Sequence, residues 1–348
     1  MNIKNSMKAV LLNGHGDYDK LEIVNNYPIP KIKENEVLVK VKAAGVNNTD
    51  INTRIAWYSK KNNSDEDASW GGETLKFPRI QGADVCGVIV EVGKNIDKNR
   101  IGQRVIIEPS LQKVNAKQLE KPWYFGSECD GGFSEYTKVS NEHAFEIKSD
   151  YSDIELASFP CSYSTAENLL TRASVNKEDI VLVSGASGGV GSAVVQLAKA
   201  RGAEVIAITS PSKIDDIKNI GASKVISRYD DLLEVLGENS VSVVIDLVAG
   251  QSWNKFLEVL KPKGKYAVSG AIAGPLVQLD IRTLYLKDLS FFGCTIIEPE
   301  VFPNLVKRIE NKEIKPLVSK VFKLDEIVQA QKEFLTKQHI GKLVLDLQ

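Results

Sequence analysis

A glycine-rich turn near the middle of the chain constrains the fold more than any other feature of the sequence. The apolar run DIVLV ends just before Gly185, and the helix-forming run SAVVQLAKARG follows Gly191. Gly185 can make a tight turn, Gly188 lets the backbone approach an anion, and Gly191 lets the helix lie close to the sheet. The amides at the start of such a helix bind a pyrophosphate. The turn therefore predicts a dinucleotide cradle, and a purely structural turn is the alternative.

The rest of the chain predicts two domains of different architecture. Before about residue 150, runs such as EVLVKVKAAGV and DVCGVIVEVG alternate with turn signals, which is typical of a strand-rich domain. Beyond it, strand runs such as EVIAITS and VSVVIDLVAG alternate with helical runs such as SWNKFLEVL, which predicts a parallel sheet covered by helices. A length of 348 residues also favours two domains. The last segment is expected to return to the first domain with a helix and a closing strand.

Composition excludes several functional classes. The 44 basic and 45 acidic residues nearly cancel, so no broad positive field is available to bind a nucleic-acid backbone. No stretch is long and apolar enough to span a bilayer, and the N-terminus does not read as a signal peptide, so we expect a cytoplasmic protein without a membrane partner. The four cysteines are widely scattered, which favours reduced thiols over a disulfide framework or a zinc knuckle.

The end of the second strand of the parallel sheet indicates which nicotinamide cofactor is bound. An acidic residue there would accept hydrogen bonds from the ribose 2′-hydroxyl, and none is present. The segment instead carries Thr209, Ser210 and Lys213, and Arg228 follows the next strand. Hydroxyl and cationic groups suit a 2′-phosphate, so NADPH is favoured over NADH. The alternative is that Lys213 and Arg228 are only solvated surface charges.

Residues 53 to 76 interrupt the strand-rich domain. The segment TRIAWYSKKNNSDEDASWGGETLK mixes charges, Asn, Ser and Gly with two tryptophans and has neither a helical nor a strand period. We expect a long loop. Two roles stay open for it, namely a surface insertion held by Trp57 and Trp70, or a lid that covers the substrate.

Several separated motifs together carry a family resemblance over nearly the whole chain. AAGVNNTD, IQGADVCGVIVEVG, DGGFSEY, GASGGVG, VVIDLVAG and GKYAVSG resemble the motifs of the medium-chain dehydrogenase/reductase superfamily. The resemblance implies an α/β protein in which a GroES-like β-barrel catalytic domain, residues 1–150 and 296–348, is interrupted by a doubly wound Rossmann domain, residues 151–295. It also implies that a small-molecule substrate and the nicotinamide meet in the cleft between the domains.

The zinc ligands of the alcohol dehydrogenases in this superfamily are largely replaced. Asn47 stands at the first ligand position and Ala83 at the second, and only Cys161 coincides with the third. Because catalytic zinc needs three protein ligands and an open position, one thiolate, even with the neighbouring Asp84, makes a poor site. The four-cysteine lobe for structural zinc is also absent. We therefore expect no metal, as in the quinone oxidoreductase-like branch.

The resemblance implies roles for a set of residues by their position in the motifs. Asn47, Thr49 and Tyr163 are the candidate catalytic residues, with a turn cap and a core position as the alternative interpretation. Asp50 is expected to accept a supporting hydrogen bond. The three histidines match no ligand position of the family, and Cys161 is expected to be a small buried side chain. The predicted cofactor contacts are Thr165, Gly185, Ser187, Gly188, Gly189, Val190, Gly191, Thr209, Ser210, Lys213, Arg228, Ser269, Gly270, Phe292 and Gly293.

These observations predict an NADPH-dependent oxidoreductase that transfers hydride to a quinone, an activated alkene or a carbonyl compound without a metal. Correct orientation of the hydride donor supplies much of the rate, and polar side chains stabilise the oxygen that gains negative charge. Two alternatives stay open, namely alcohol dehydrogenase-type activity and a non-catalytic NADPH-binding sensor or structural protein. By analogy with the superfamily, we expect a homodimer or a homotetramer, with the strand near GKYAVSGAI at the interface.

Overall fold

The computed structural model describes residues 5–59, 69–72 and 74–348. Eighteen strands and ten α-helices lie in these ranges. The strands are β1 Ser6–Leu12, β2 Leu21–Pro28, β3 Glu36–Val46, β4 Arg79–Ile80, β5 Asp84–Val92, β6 Arg104–Ile107, β7 Ser110–Val114, β8 Lys117–Tyr124, β9 Tyr136–Ser140, β10 Ala144–Glu146, β11 Ile180–Val183, β12 Glu204–Thr209, β13 Lys224–Ser227, β14 Val241–Asp246, β15 Leu260–Val268, β16 Ser290–Gly293, β17 Val318–Lys323 and β18 Lys342–Asp346. The helices are α1 Asn48–Arg54, α2 Asp153–Leu156, α3 Pro160–Arg172, α4 Gly189–Ala200, α5 Ile214–Asn219, α6 Leu232–Leu236, α7 Trp253–Val259, α8 Ile281–Leu286, α9 Val301–Glu310 and α10 Ile327–Thr336.

The chain divides into two compact units, Met1–Cys161 with Pro316–Gln348, and Ser162–Lys315. The predicted boundaries at 150/151 and 295/296 both lie earlier in the chain. The second unit continues to Lys315 because α9 packs onto α3, where the Arg308 guanidinium lies 3.5 Å from the buried Glu167 carboxylate. Helix α3 itself starts at the end of the first unit.

The first unit is built from β-sheets. Its largest sheet has the order β10-β6-β5-β3-β18-β17, and β9 also pairs with β3; the smaller sheets are β2-β1-β4 and the hairpin β7-β8. As predicted, the C-terminal segment returns here, because β18 pairs antiparallel with β3 and parallel with β17. The registers place Gly45 opposite Asp84 and Val46 opposite Leu343. The end of β3 and the starts of β5 and β18 therefore meet at one point.

The second unit contains the predicted parallel sheet. Its six strands have the order β13-β12-β11-β14-β15-β16, and all five pairings are parallel. The central strands are buried along most of their length, as their nearly continuous apolar sequences predict. The order in which strands are added to the sheet reverses between β11 and β14, and the glycine turn follows the carboxyl end of β11 at this point, which is where doubly wound sheets bind ligands.

The α/β prediction is confirmed by this arrangement of a strand-rich unit and a parallel-sheet unit. Among the described residues, no helix has both the length and the apolar character needed to cross a membrane.

Candidate active site and dinucleotide cradle

The glycine turn forms an open cradle at the start of α4. Gly185 follows β11 with φ of +60°, a conformation that favours glycine. A Cβ on Gly191 would lie 2.2 Å from the Gly185 carbonyl oxygen, so only glycine permits this approach of α4 to the turn. Gly188 is the N-cap, no side chain caps the helix, and a Cβ there would meet only one atom, at 3.7 Å. The first amides of α4 are thus available to an anion such as a pyrophosphate.

A buried carboxylate that the sequence analysis missed fixes the strand ends around this cradle. Asp246, fully buried at the end of β14, accepts hydrogen bonds from the Ser184 hydroxyl and the Tyr266 hydroxyl, each at 2.5 Å. It also accepts hydrogen bonds from the backbone N–H groups of Val248 and Ala249. Since Ser184 directly precedes Gly185, Asp246 ties the turn to β14 and β15. The only feature of the sequence that indicates this role is a lone Asp at the end of an apolar strand.

The residues predicted to select the cofactor lie beside the cradle. The Lys213 ammonium lies 3.5 Å from the Ser187 hydroxyl, within the turn, although Lys213 is 26 residues away in sequence. Arg228 donates its backbone N–H to the Thr209 carbonyl, so it begins next to the end of β12. Burial and the neighbouring positive charge of Arg228 lower the pKa of Lys213. The structure therefore places Lys213 at the glycine turn and Arg228 directly beside Thr209.

The remaining predicted cofactor contacts lie at the ends of two adjacent strands and on α3. β15 pairs in register with β16, so Ser269 and Gly270, just after β15, lie near Phe292 and Gly293 at the end of β16. A Cβ on Gly270 would lie 2.7 Å from the Leu247 carbonyl oxygen, so the close approach of these two backbone segments requires glycine at this position. Thr165 lies half-buried on α3.

The first unit holds a separate buried polar cluster where β3, β5 and β18 meet. The Lys342 ammonium lies 2.6 Å from Asp84 Oδ2 and also donates to Asn47 Oδ1. Asn47 Nδ2 donates to the same Asp84 oxygen at 2.8 Å, and the Cys161 backbone N–H donates to Asp84 Oδ1 at 2.5 Å. All four residues are buried. The cluster thus joins Asn47, Asp84 and Cys161 to Lys342, a residue that the sequence analysis missed.

The cluster fixes the start of α1. Asn47 is the N-cap, and its backbone N–H donates to Asp50 Oδ2 at 2.8 Å, the supporting role expected of Asp50. Burial raises the pKa of Asp50 to about 7, against the lowering effect of the Asn47 amide and the Lys342 charge. Because the Asn47 amide group bonds to Asp84 and Lys342, it orients the neighbouring helix start.

Hydroxyl and thiol groups lie beside this cluster. The Tyr58 hydroxyl donates to Thr49 Oγ1 at 3.2 Å, and the Tyr124 hydroxyl lies 2.8 Å from Cys161 Sγ. Burial and the Asp84 charge raise the pKa of Cys161 to about 12, which keeps it a thiol. Burial likewise raises the pKa of Tyr58 and of Tyr124. These groups therefore stay protonated near neutral pH.

The ring of Trp70 packs against Tyr124 and its neighbours. Trp70 stacks on Tyr124 with ring centroids 4.8 Å apart and an interplanar angle of 28°. Trp57, in contrast, is 45% exposed. The insertion predicted at 53–76 lies partly outside the described residues, but residues 53–59 and 69–72 contribute Tyr58 and Trp70 to the site. Nothing in the composition of the insertion had singled out Tyr58.

Tyr163 lies in the second unit and not in this cluster. It is 1% exposed, its hydroxyl donates to the Lys315 carbonyl at 2.9 Å, and it accepts a hydrogen bond from Gln196 at 2.8 Å. Its candidate catalytic role stays a prediction.

The histidines make local contacts. His15 Nδ1 lies 2.9 Å from the Thr53 carbonyl oxygen, His143 Nδ1 lies 2.7 Å from Glu108 Oε2, and the His339 ring packs near Phe334.

The residues at the position of the family's catalytic zinc do not fit the metal. Asn47 and Ala83 supply no thiolate or imidazole, and the Asp84 carboxylate is paired with the Lys342 ammonium, which already provides a positive charge. A divalent cation would also have to deprotonate Cys161, whose pKa is raised. In the part of the chain that the structure describes, no group of three or more His, Cys, Asp or Glu side chains could hold a metal ion.

Comparisons with known proteins agree with both units. Residues 33–149 match the family model described as an alcohol dehydrogenase GroES-like domain, and residues 189–311 match that described as a zinc-binding dehydrogenase. A crystal structure of a Sinorhizobium meliloti 1021 protein, provisionally named an alcohol dehydrogenase, is 42% identical, with a TM-score of 0.91 over 99% of this chain and 97% of that one.

Two curated relatives differ in the cofactor that their names carry. The NAD-dependent alcohol dehydrogenase of Sulfolobus acidocaldarius is 28% identical over 97% of this chain and 99% of its own. The NADPH-dependent alkenal/one oxidoreductase of Arabidopsis thaliana, a chloroplastic protein, is 29% identical over 99% of this chain and 80% of its own.

Proposed function

Because the chain belongs to the medium-chain dehydrogenase/reductase superfamily and is an NAD(P)H-dependent oxidoreductase, we propose that it uses NADPH to reduce a quinone, an activated alkene or a carbonyl compound without a metal. The observation that carries this proposal is the buried group of Asn47, Asp84 and Lys342. It places an ammonium–carboxylate pair where the metal-dependent relatives need zinc ligands, so the chemistry is left to hydroxyl groups.

NADPH is proposed because the second unit offers a positive site beside the cradle. Lys213 and Arg228 lie near Ser187 and Thr209, and no acidic residue stands at the end of β12. A 2′-phosphate would accept charge-assisted hydrogen bonds from this group. A bound nicotinamide would supply the hydride, which carries two electrons to the acceptor carbon.

The residues of the first unit would supply the proton that completes the reduction. Thr49 Oγ1 accepts the Tyr58 proton at 3.2 Å, which leaves the Thr49 proton available to an acceptor oxygen. As that oxygen gains charge, it takes the Thr49 proton, Tyr58 passes its own proton to Thr49, and solvent water re-protonates the Tyr58 phenolate. The raised pKa of Tyr58 keeps it in the protonated form needed for this role. Asn47 acts as a positioning residue, since it holds the start of α1, which carries Thr49.

Alcohol oxidation is a second candidate function. The provisional name of the Sinorhizobium meliloti structure and the name of the Sulfolobus acidocaldarius relative favour it. In the reverse direction the Tyr58 phenolate, formed by loss of its proton to solvent, would take the alcohol proton through Thr49, while the oxidised cofactor would take the hydride.

We also propose that the protein forms a homodimer or a homotetramer and resides in the reducing cytoplasm. Exposed apolar side chains between residues 272 and 286 support the assembly. None of the four cysteines forms a disulfide, which supports the location.

The decisive experiment is a turnover assay with zinc quantified in the same preparation. Purified protein is given NADPH or NADH with a panel of quinones, enals, aldehydes and, with the oxidised cofactors, alcohols. We expect NADPH consumption with at least one acceptor, and zinc far below one atom per chain by elemental analysis. Stoichiometric zinc, or no retention of either dinucleotide in a calorimetric titration, would contradict the proposal.

A further inference from the structure

Trp70 is held in place by a clamp at the end of the insertion. Its backbone N–H donates to the Ser127 hydroxyl at 3.1 Å, and the next N–H, of Gly71, donates to Glu128 Oε1 at 2.6 Å. The other Glu128 oxygen accepts the Tyr124 N–H at 2.7 Å. One carboxylate therefore binds the Trp70 segment and the Tyr124 strand end together, and fixes the stacking of the two rings.

The stacked pair belongs to the same buried cluster as the reactive groups. Tyr124, Ala83 and Cys161 pack together, and Trp70 packs against them. The Tyr124 hydroxyl contacts Cys161, and the Tyr58 hydroxyl is close enough to Cys161 for a mutual electrostatic effect. Ala83 is small where the zinc-dependent relatives carry a histidine, and the Trp70 and Tyr124 rings pack beside it. Trp70 is half-buried, so part of its surface is exposed.

We propose that Trp70 is a specificity-determining residue that selects flat, conjugated ring acceptors over small open-chain ones. The inference rests on the proposed function and narrows its substrate class to quinone-like rings. A flat ring gains stacking with a fixed indole at little conformational cost, whereas a three-carbon enal has no ring face to stack. The clamp by Glu128 matters because an indole held in one orientation loses no entropy when the ligand binds.

The test compares a two-ring naphthoquinone with acrolein as acceptors for NADPH oxidation. Trp70→Ala is expected to lower kcat/KM for the naphthoquinone about tenfold, mainly through KM, and to change it for acrolein less than about twofold. Trp70→Phe keeps a ring and should restore most of the preference. Glu128→Ala should shift the ratio in the same direction as Trp70→Ala, while Glu128→Gln, which keeps one of the two acceptor oxygens, should shift it less than Glu128→Ala does.

Trp57→Ala is the matched control, because Trp57 is an exposed tryptophan of the same insertion. Its ring packs on Tyr58, so its loss would change the rates with both acceptors together and should leave their ratio unchanged. Equal losses for both acceptors in Trp70→Ala, or no loss for either, would overturn the inference. If the wild type consumed NADPH with neither acceptor, the proposed function would fail. Equilibrium dialysis of the naphthoquinone would then still decide the role of Trp70, since Trp70→Ala must weaken its binding and Trp57→Ala must not.

Discussion

Lys213 and Arg228 are the residues on which the proposed preference for NADPH depends. The Lys213 ammonium lies 3.5 Å from the Ser187 hydroxyl in the glycine turn, and the charge of Arg228 contributes to the lowered pKa of Lys213. These like charges repel one another, and a 2′-phosphate bound beside them would relieve the repulsion.

The double variant Lys213→Ala/Arg228→Ala should lose NADPH affinity at least about tenfold, because charged hydrogen bonds contribute about 1.5–3 kcal/mol each. NADH affinity should change less than about twofold, since NADH lacks the 2′-phosphate. Calorimetric titration measures both. The exposed Lys218, on the helix that follows Lys213, is the matched control, and Lys218→Ala should bind both cofactors as the wild type does. Equal loss of both cofactors would remove the argument for NADPH.

Asp50 gives the stability of the protein a defined pH dependence. An unfolded Asp ionises near 3.8, whereas burial raises the pKa of the folded side chain to about 7. Between these values the folded state holds a proton that the unfolded state has lost, so the contribution of Asp50 to stability is present at low pH and is lost as the pH rises to about 7.

Asp50→Asn should therefore gain stability relative to the wild type as the pH rises from 4 to 8, by up to a few kcal/mol. Asparagine keeps an oxygen that can accept the Asn47 N–H. Urea unfolding at a series of pH values measures the difference, and Asp215→Asn, at an exposed position, is the control. A difference that does not vary with pH would show that Asp50 is ionised in the folded protein throughout this range.

At the scale of the strand–turn–helix element, two glycines of the cradle have separable roles. Gly191 is required by packing, since an added Cβ would lie 2.2 Å from the Gly185 carbonyl oxygen. Gly188 has room for a Cβ, which would project from the N-cap of α4, where the anion is proposed to bind.

Gly191→Ala should destabilise the protein by about 1–3 kcal/mol, because α4 must move away from the turn, and should also weaken dinucleotide binding. Gly188→Ala should keep the unfolding free energy within about 0.5 kcal/mol and yet weaken dinucleotide binding. Denaturant unfolding and calorimetric titration of both variants separate the two effects. Full NADPH affinity in Gly188→Ala would contradict the position of the pyrophosphate at this helix start.

At the scale of the whole molecule, the sequence predicted local units better than long-range clusters. The cradle and the parallel sheet follow from contiguous runs, in which the strand, the turn and the helix each have their own signal. Asn47 and Lys342, in contrast, are 295 residues apart and meet only because β18 pairs with β3. No periodicity in the sequence predicts that pairing. The one local feature that singles out Lys342 is its position as a charged residue at the start of the apolar run KLVLDL. Tyr58 lies in an aperiodic segment, so only the folded structure shows its contact with Thr49.

The second unit exposes a concentrated apolar surface next to an open sheet edge. β16 is the last strand of the parallel sheet, and no strand of the described residues pairs with its outer edge. Such an edge, next to apolar side chains, favours association with another copy. The exposed side chains are Ile272, Leu276, Val277, Ile281, Tyr285 and Leu286. In a twofold assembly each of these residues would be buried twice, once in each copy.

The variant Leu276→Lys/Leu286→Lys should therefore shift the protein toward the monomer, because each substitution would place an unpaired charge in the buried centre of the interface. Leu276 and Leu286 are 92% and 71% exposed, so the fold of the single chain should tolerate both changes. Light scattering coupled to size-exclusion chromatography, over a range of protein concentrations, measures the mass. Ile101→Lys, at a 50% exposed apolar position of the first unit, is the control and should keep the wild-type mass. A wild type that stays monomeric at every concentration, or a double variant with unchanged mass, would show that this surface is not the interface.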